Sequence, residues 1–122
     1  MDMEKQARLV RHLFRKTNED DLEWQTSAAG TFVVSFRNNG VQLRRGDTGA
    51  QSPIFFVDLI NDQGEVVETF DDEDLDRAAT AGTGGEYFQL LGNLFELARR
   101  SAMGSDKVLN DLLKELDDEI PF

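Results

Sequence analysis

The chain has 122 residues, 24 of them acidic and 13 basic, and a formal net charge of −11. That length suits one domain spanning residues 1–122, and 39% hydrophobic residues are too many for a disordered acidic tail. The absence of cysteine excludes disulfides, thiolate metal sites and thiol nucleophiles. The opening Met1-Asp2-Met3-Glu4-Lys5 lacks the basic-then-apolar layout of a signal peptide. No apolar run approaches the ~20 residues that span a bilayer. A soluble cytoplasmic protein is the expectation.

Residues 3 to 16 read as an amphipathic helix. Met3, Ala7, Val10, Leu13 and Phe14 fall on one face, with Arg8, Arg11, Arg15 and Lys16 on the other. Asn18-Glu19-Asp20-Asp21 ends it, and Leu22 to Thr26 then alternates as a half-buried strand does. After a turn at Ser27–Gly30, Thr31 to Arg37 alternates again, with Phe32, Val34 and Phe36 on one side. Asn39-Gly40 is a strong hairpin signal, because both residues tolerate the positive φ of a type I′ turn. In that register Asn38 faces Val41 and Phe36 faces Leu43.

A polar, turn-rich segment from Gly46 to Ser52 separates this hairpin from the apolar strand Ile54 to Ile60. Both faces of that strand are apolar, as in a strand covered on both sides. Asp62-Gln63-Gly64 reads as a three-residue hairpin loop with glycine in the left-handed position, and Glu65 to Phe70 returns. Asp71-Asp72-Glu73-Asp74 suits the start of a short helical turn through Ala79.

Past the break at Gly82–Gly85, Glu86 to Ala102 is the strongest helix. Its apolar residues cover more than one face, so it should be sandwiched. Gly92 inside it costs about 1 kcal/mol relative to alanine and implies a close approach. Gly104 stops it. Ser105 opens a last helix in which Val108, Leu109, Leu112, Leu113 and Leu116 recur at helical spacing, before Pro121. The sum is an α+β fold: an N-terminal helix, a roughly five-stranded antiparallel β-meander and two C-terminal helices packed on one sheet face.

The acidity is concentrated. Asp58, Asp62, Glu65, Glu68, Asp71, Asp72, Glu73, Asp74 and Asp76 occupy one stretch that holds no Lys or Arg. Such a field attracts basic partners and repels nucleic-acid phosphates. These nine are the candidate partner-binding residues.

The catalytic and metal candidates are weaker. Asp72, Asp74 and Asp76 match the first half of a calcium loop, but Arg77 stands where glycine is needed and Thr83 where a bidentate acid is needed. His12 is the only histidine and sits on the basic helix. Gly82-Thr83-Gly84-Gly85 precedes a helix as a phosphate loop does, yet no lysine follows and the neighbouring acids repel phosphate. No catalytic residue, metal or cofactor is expected.

The basic face of the first helix serves as a solvated surface or as an internal counter-charge. Direct nucleic-acid binding and membrane binding are not expected. The last helix is either a cover for the sheet or the seam of a possible homodimer. Trp24 reads as a core anchor, and Ile120-Pro121-Phe122 as either a docking tail or a packed end.

The leading expectation is therefore a non-catalytic acidic protein-binding module of inhibitor, immunity or antitoxin type. It would engage a basic protein surface, as a DNA mimic in its sharpest form. The alternative is a small acidic dimeric chaperone or secretion cofactor, and a metal-dependent enzyme is the third class.

Overall fold

The computed structural model describes residues 3–47, 53–79 and 85–119. Helix α1 (Glu4–Asn18) leads into a five-stranded antiparallel sheet of β1 (Gln25–Ala28), β2 (Thr31–Ser35), β3 (Gly40–Asp47), β4 (Pro53–Ile60) and β5 (Val66–Asp71). The strands lie side by side in chain order, so β1 and β5 are the edges. Helices α2 (Asp72–Ala78), α3 (Glu86–Met103) and α4 (Ser105–Glu119) follow. This is the α+β arrangement read from the sequence, with α3 and the short α2 contacting the sheet.

Alternation along the strands decides which side faces the helices. Phe32, Val34, Val41, Leu43, Phe55, Val57 and Phe70 join Val10 and Leu13 of α1, Leu75 of α2, and Leu91, Leu94, Phe95 and Ala98 of α3 in one buried cluster. Each large side chain fully buried there contributes about 1.5–3 kcal/mol. The intervening residues Gln42, Arg44, Phe56, Asp58 and Thr69 turn to the opposite face. The two apolar faces of β4 therefore have different surroundings, and only one takes part in the helix-covered core.

Helix α3 is the hub, touching α1, α2, α4, β1, β2 and β4. This explains why its apolar residues exceed one stripe. Gly92 meets the Phe55 ring, which lies 3.3 Å from where a Cβ would stand. Trp24 is buried as expected, 2% exposed. Its indole N–H donates to Thr17 Oγ1 at 3.0 Å, and its backbone N–H donates to Ser101 Oγ at 3.0 Å. These bonds tie the entry to the sheet between α1 and α3.

One hairpin differs from its expected register. Ser35 pairs with Gly40 and Phe32 with Leu43, and Phe36 N–H donates to the Asn39 carbonyl at 2.7 Å. The two-residue turn is thus Arg37-Asn38, without a positive φ, and Gly40 belongs to the strand. A Cβ on Gly40 would sit 3.2 Å from the Val34 carbonyl oxygen. Glycine serves close approach here rather than a turn. The shift is an even number of residues, so the same faces still coincide.

The other features of the sheet follow simpler rules. Strand β3 continues through Gly46, pairing it with Ile54, where a Cβ would meet the Phe56 ring at 2.8 Å. The turn expected beyond it falls mostly at residues 48–52, outside the described residues. The β4–β5 loop is as read: Gly64 has φ +80° and Asn61 N–H donates to the Glu65 carbonyl at 2.9 Å.

Candidate functional site

The nine carboxylates of residues 58–76 do not form one patch. Asp58 and Asp72 are buried, 2% and 4% exposed. Asp62 and Glu65 sit at the β4–β5 loop, while Asp71, Glu73, Asp74 and Asp76 cluster on α2 at the other end of β5. Six strand residues separate the groups by about 20 Å. Glu68 lies between them and accepts a hydrogen bond from Gln6 Nε2 of α1 at 2.9 Å. The acids thus form a broken strip along an edge strand, where charge also discourages pairing with a foreign strand.

Asp58 is the centre of a polar lattice on the face of the sheet away from the helices. Register places Gln42, Asp58 and Thr69 directly across three strands. Gln42 Nε2 donates to its Oδ2 at 2.8 Å, Thr69 Oγ1 to its Oδ1 at 2.7 Å, and Arg44 to both oxygens at 2.6 and 2.9 Å. The Arg44 guanidinium also lies 4.7 Å from the centre of the Phe56 ring. Burial pushes the Asp58 carboxyl up, but these donors outweigh it and hold the group below the ordinary carboxylate value. The hydrogen bond to Asp58 in turn raises Arg44. The lattice satisfies its own charge, so it strengthens the sheet and offers no free carboxylate. A lone aspartate inside an apolar strand was its only signal in the sequence.

Asp72 acts where β5 ends. Phe56 is the last residue of β4 paired to β5, opposite Asp71. The next β4 amide, Phe55 N–H, donates instead to Asp72 Oδ1 at 2.8 Å. Burial raises the Asp72 carboxyl, and the charges of Asp71 and Glu73 add to this.

The remaining α2 acids build its first turn and its join to α3. Asp71 Oδ1 accepts from Asp74 N–H at 2.8 Å and Asp74 Oδ2 from Asp71 N–H at 3.1 Å, a reciprocal capping box. Asp74 also pairs with Arg77, and Asp76 accepts from Tyr87 N–H at 2.9 Å. The half calcium loop therefore has its three carboxylates committed in three directions. Among the described residues no three His, Asp or Glu side chains are grouped to hold a metal ion.

The basic face of α1, Arg8, Arg11, Arg15 and Lys16, is exposed. Lys16 pairs locally with Asp21 at 3.7 Å. Arg11 donates to the Tyr87 hydroxyl at 2.8 Å and Arg15 to His12 Nδ1 at 3.0 Å, all at the surface. Near the end of α1 an open cleft of about 560 Å³ is lined by Thr17, Asp20, Trp24, Arg100 and Lys107. Apart from Gly85, which precedes α3 with φ +85°, the proposed phosphate loop lies outside the described residues. The Ile120-Pro121-Phe122 end also lies outside them. Among the described residues no helix is long and apolar enough to cross a membrane.

Among the described residues, exposed apolar side chains include Met103 at the end of α3, 60% exposed, and two further groups. Phe36 and Val67, 46% and 62% exposed, lie at the hairpin ends beside Leu9 and Ile60, and Val66, 53% exposed, pairs with Ile60. On α4, Val108, Leu109, Leu112, Leu113 and Leu116 are each about half exposed. No protein-family model matches the chain, and no curated protein or solved structure matches it either.

Proposed function

We propose that this protein is a non-catalytic acidic binding module that engages a basic protein surface. The observation that carries the reading is the strip of seven outward or half-exposed carboxylates along β5 and α2, in a stretch that contains no basic residue. A fixed negative edge on a rigid sheet speeds encounter with a cationic partner and orients it, while apolar contacts supply most of the affinity. Inhibitor, immunity or antitoxin roles all have this physical requirement. The basic groove of a nucleic-acid-processing protein is one surface that meets it.

The test has to spare the acids that hold α2 together. Asp62, Glu65, Glu68 and Glu73 are exposed and lie outside the capping box. Changing the four to Asn or Gln is expected to weaken binding of an unstructured polylysine peptide by about tenfold. The steep fall of affinity with salt should flatten as well. Unchanged affinity in titrations at low and high salt would eliminate the reading.

A second reading, a small acidic chaperone or secretion cofactor, draws on the exposed apolar face of α4. Suppression of client aggregation that survives those four substitutions would favour it.

A further inference from the structure

Helix α4 has a charge pattern that specifies what can cover it. At 3.6 residues per turn, Val108, Leu109, Leu112, Leu113 and Leu116 fall in one stripe about 140° wide. Asp111 and Glu115 run along one margin of the stripe, and Asp106 and Asp117 along the other. Both lysines of the helix, Lys107 and Lys114, lie on the side opposite the stripe. Arg100 holds Asp106 at 3.1 Å and Lys107 holds Asp111 at 3.1 Å, both at the surface. The five apolar side chains are 49–53% exposed. They present on the order of 400 Å² of apolar surface, the size of the largest patch on a typical monomer, which is often functional.

We propose that this acid-edged apolar stripe is the docking surface for a basic amphipathic helix of a partner protein. The inference rests on the reading of the protein as a module for basic partners and identifies where the apolar anchoring occurs. A straight stripe about 12 Å long matches anchors at i, i+3, i+4 and i+7 on an opposing helix. Lysine or arginine flanking those anchors would meet carboxylates on both margins. A second copy of α4 does not fit, because its margins are acidic on both sides. Parallel or antiparallel pairing therefore sets like charges together. An anionic membrane is repelled for the same reason.

The probe is a synthetic peptide with leucine at i, i+3, i+4 and i+7 and lysine elsewhere, labelled for fluorescence anisotropy. A scrambled peptide and a leucine–glutamate counterpart serve as controls. The leucine–lysine helix is expected to bind the full chain about tenfold more tightly than the scramble. Leu109→Ser with Leu113→Ser should remove that advantage while leaving the Trp24-monitored thermal transition unchanged. Glu115→Lys with Asp117→Lys should weaken the lysine peptide and admit the glutamate one, a swap that damage to the helix would not produce.

Equal binding of the scramble, or indifference to the α4 substitutions, would overturn the proposal. So would a dimer in sedimentation, or adhesion to phosphatidylglycerol vesicles, that Leu109→Ser with Leu113→Ser abolishes. If polylysine binding needs Asp62, Glu65, Glu68 and Glu73 while α4 has no effect, the basic-partner reading stands and the docking surface falls. If the peptide needs α4 and those four acids have no effect, the strip along β5 falls and the docking surface stands.

Discussion

Asp58 shows how far a carboxylate's role depends on what lies across the sheet from it. In sequence it is one of nine acids in a stretch without a basic residue, whereas in the fold it is the shared acceptor of Gln42, Arg44 and Thr69. Its carboxyl is held below the unfolded value. The stability it contributes is therefore present above the ordinary carboxylate pKa and is lost as pH falls through its folded one. Removing the guanidinium by Arg44→Leu leaves a buried charge with only neutral donors, at a cost of about 2–3 kcal/mol near pH 7. In that variant the lowering by Arg44 is gone and the carboxyl moves up, so protonation relieves the strain. The difference in unfolding free energy between variant and parent should shrink as pH falls from 7 to 4. Denaturant titrations at the two pH values check this, and a difference that widens on acidification would refute the account. Asp72, whose carboxyl is raised, contributes with the opposite sign in both proteins and cancels from the comparison.

At the scale of elements, the helix–sheet contact depends on the absence of a side chain. Phe55 packs against Phe88 and Phe95, with ring centres 5.7 and 5.6 Å away, and its edge occupies the space above Gly92. Gly92→Ala should change stability by less than about 1 kcal/mol, because improved helix propensity offsets a displacement of the ring by a few tenths of an ångström. Gly92→Leu must displace the ring altogether and should cost about 2–3 kcal/mol, read from the denaturation midpoint. Equal effects of the two substitutions would show that the ring is not tightly held. The need for a small residue at this position was legible in the helix pattern, but the identity of Phe55 was not, since it comes from a strand far away in sequence. The same limit applies at Asn39-Gly40. Two chemistries use glycine, positive φ and close approach, and only the neighbouring Val34 carbonyl decides between them. The loop at Gly64 was legible because its requirement is local, a left-handed residue closing a three-residue turn.

For the whole molecule, the count of charges was readable and their directions were not. Two of nine candidate carboxylates are buried because their partners come from other strands, and the rest are strung along an edge strand and the helical turn that follows it. The amphipathic pattern of α4 was equally plain in the sequence, but whether anything covers it depends on the angle at which it leaves α3. Gly104 makes that joint with φ +64°, and none of the apolar side chains of α4 is buried. A helix held this way should add little to the cooperative unit, since stability comes from packing rather than from helix propensity. Ending the chain at Gly104 should therefore lower the Trp24-monitored midpoint by less than about 4 °C, below roughly 1 kcal/mol for a domain of this size. The loss of far-ultraviolet ellipticity should match the 15 residues of α4. A much larger drop would mean that α4 covers part of the core and is not available to a partner. An unchanged midpoint, together with loss of binding to the leucine–lysine helix, would separate the element that holds the fold together from the one that meets the partner.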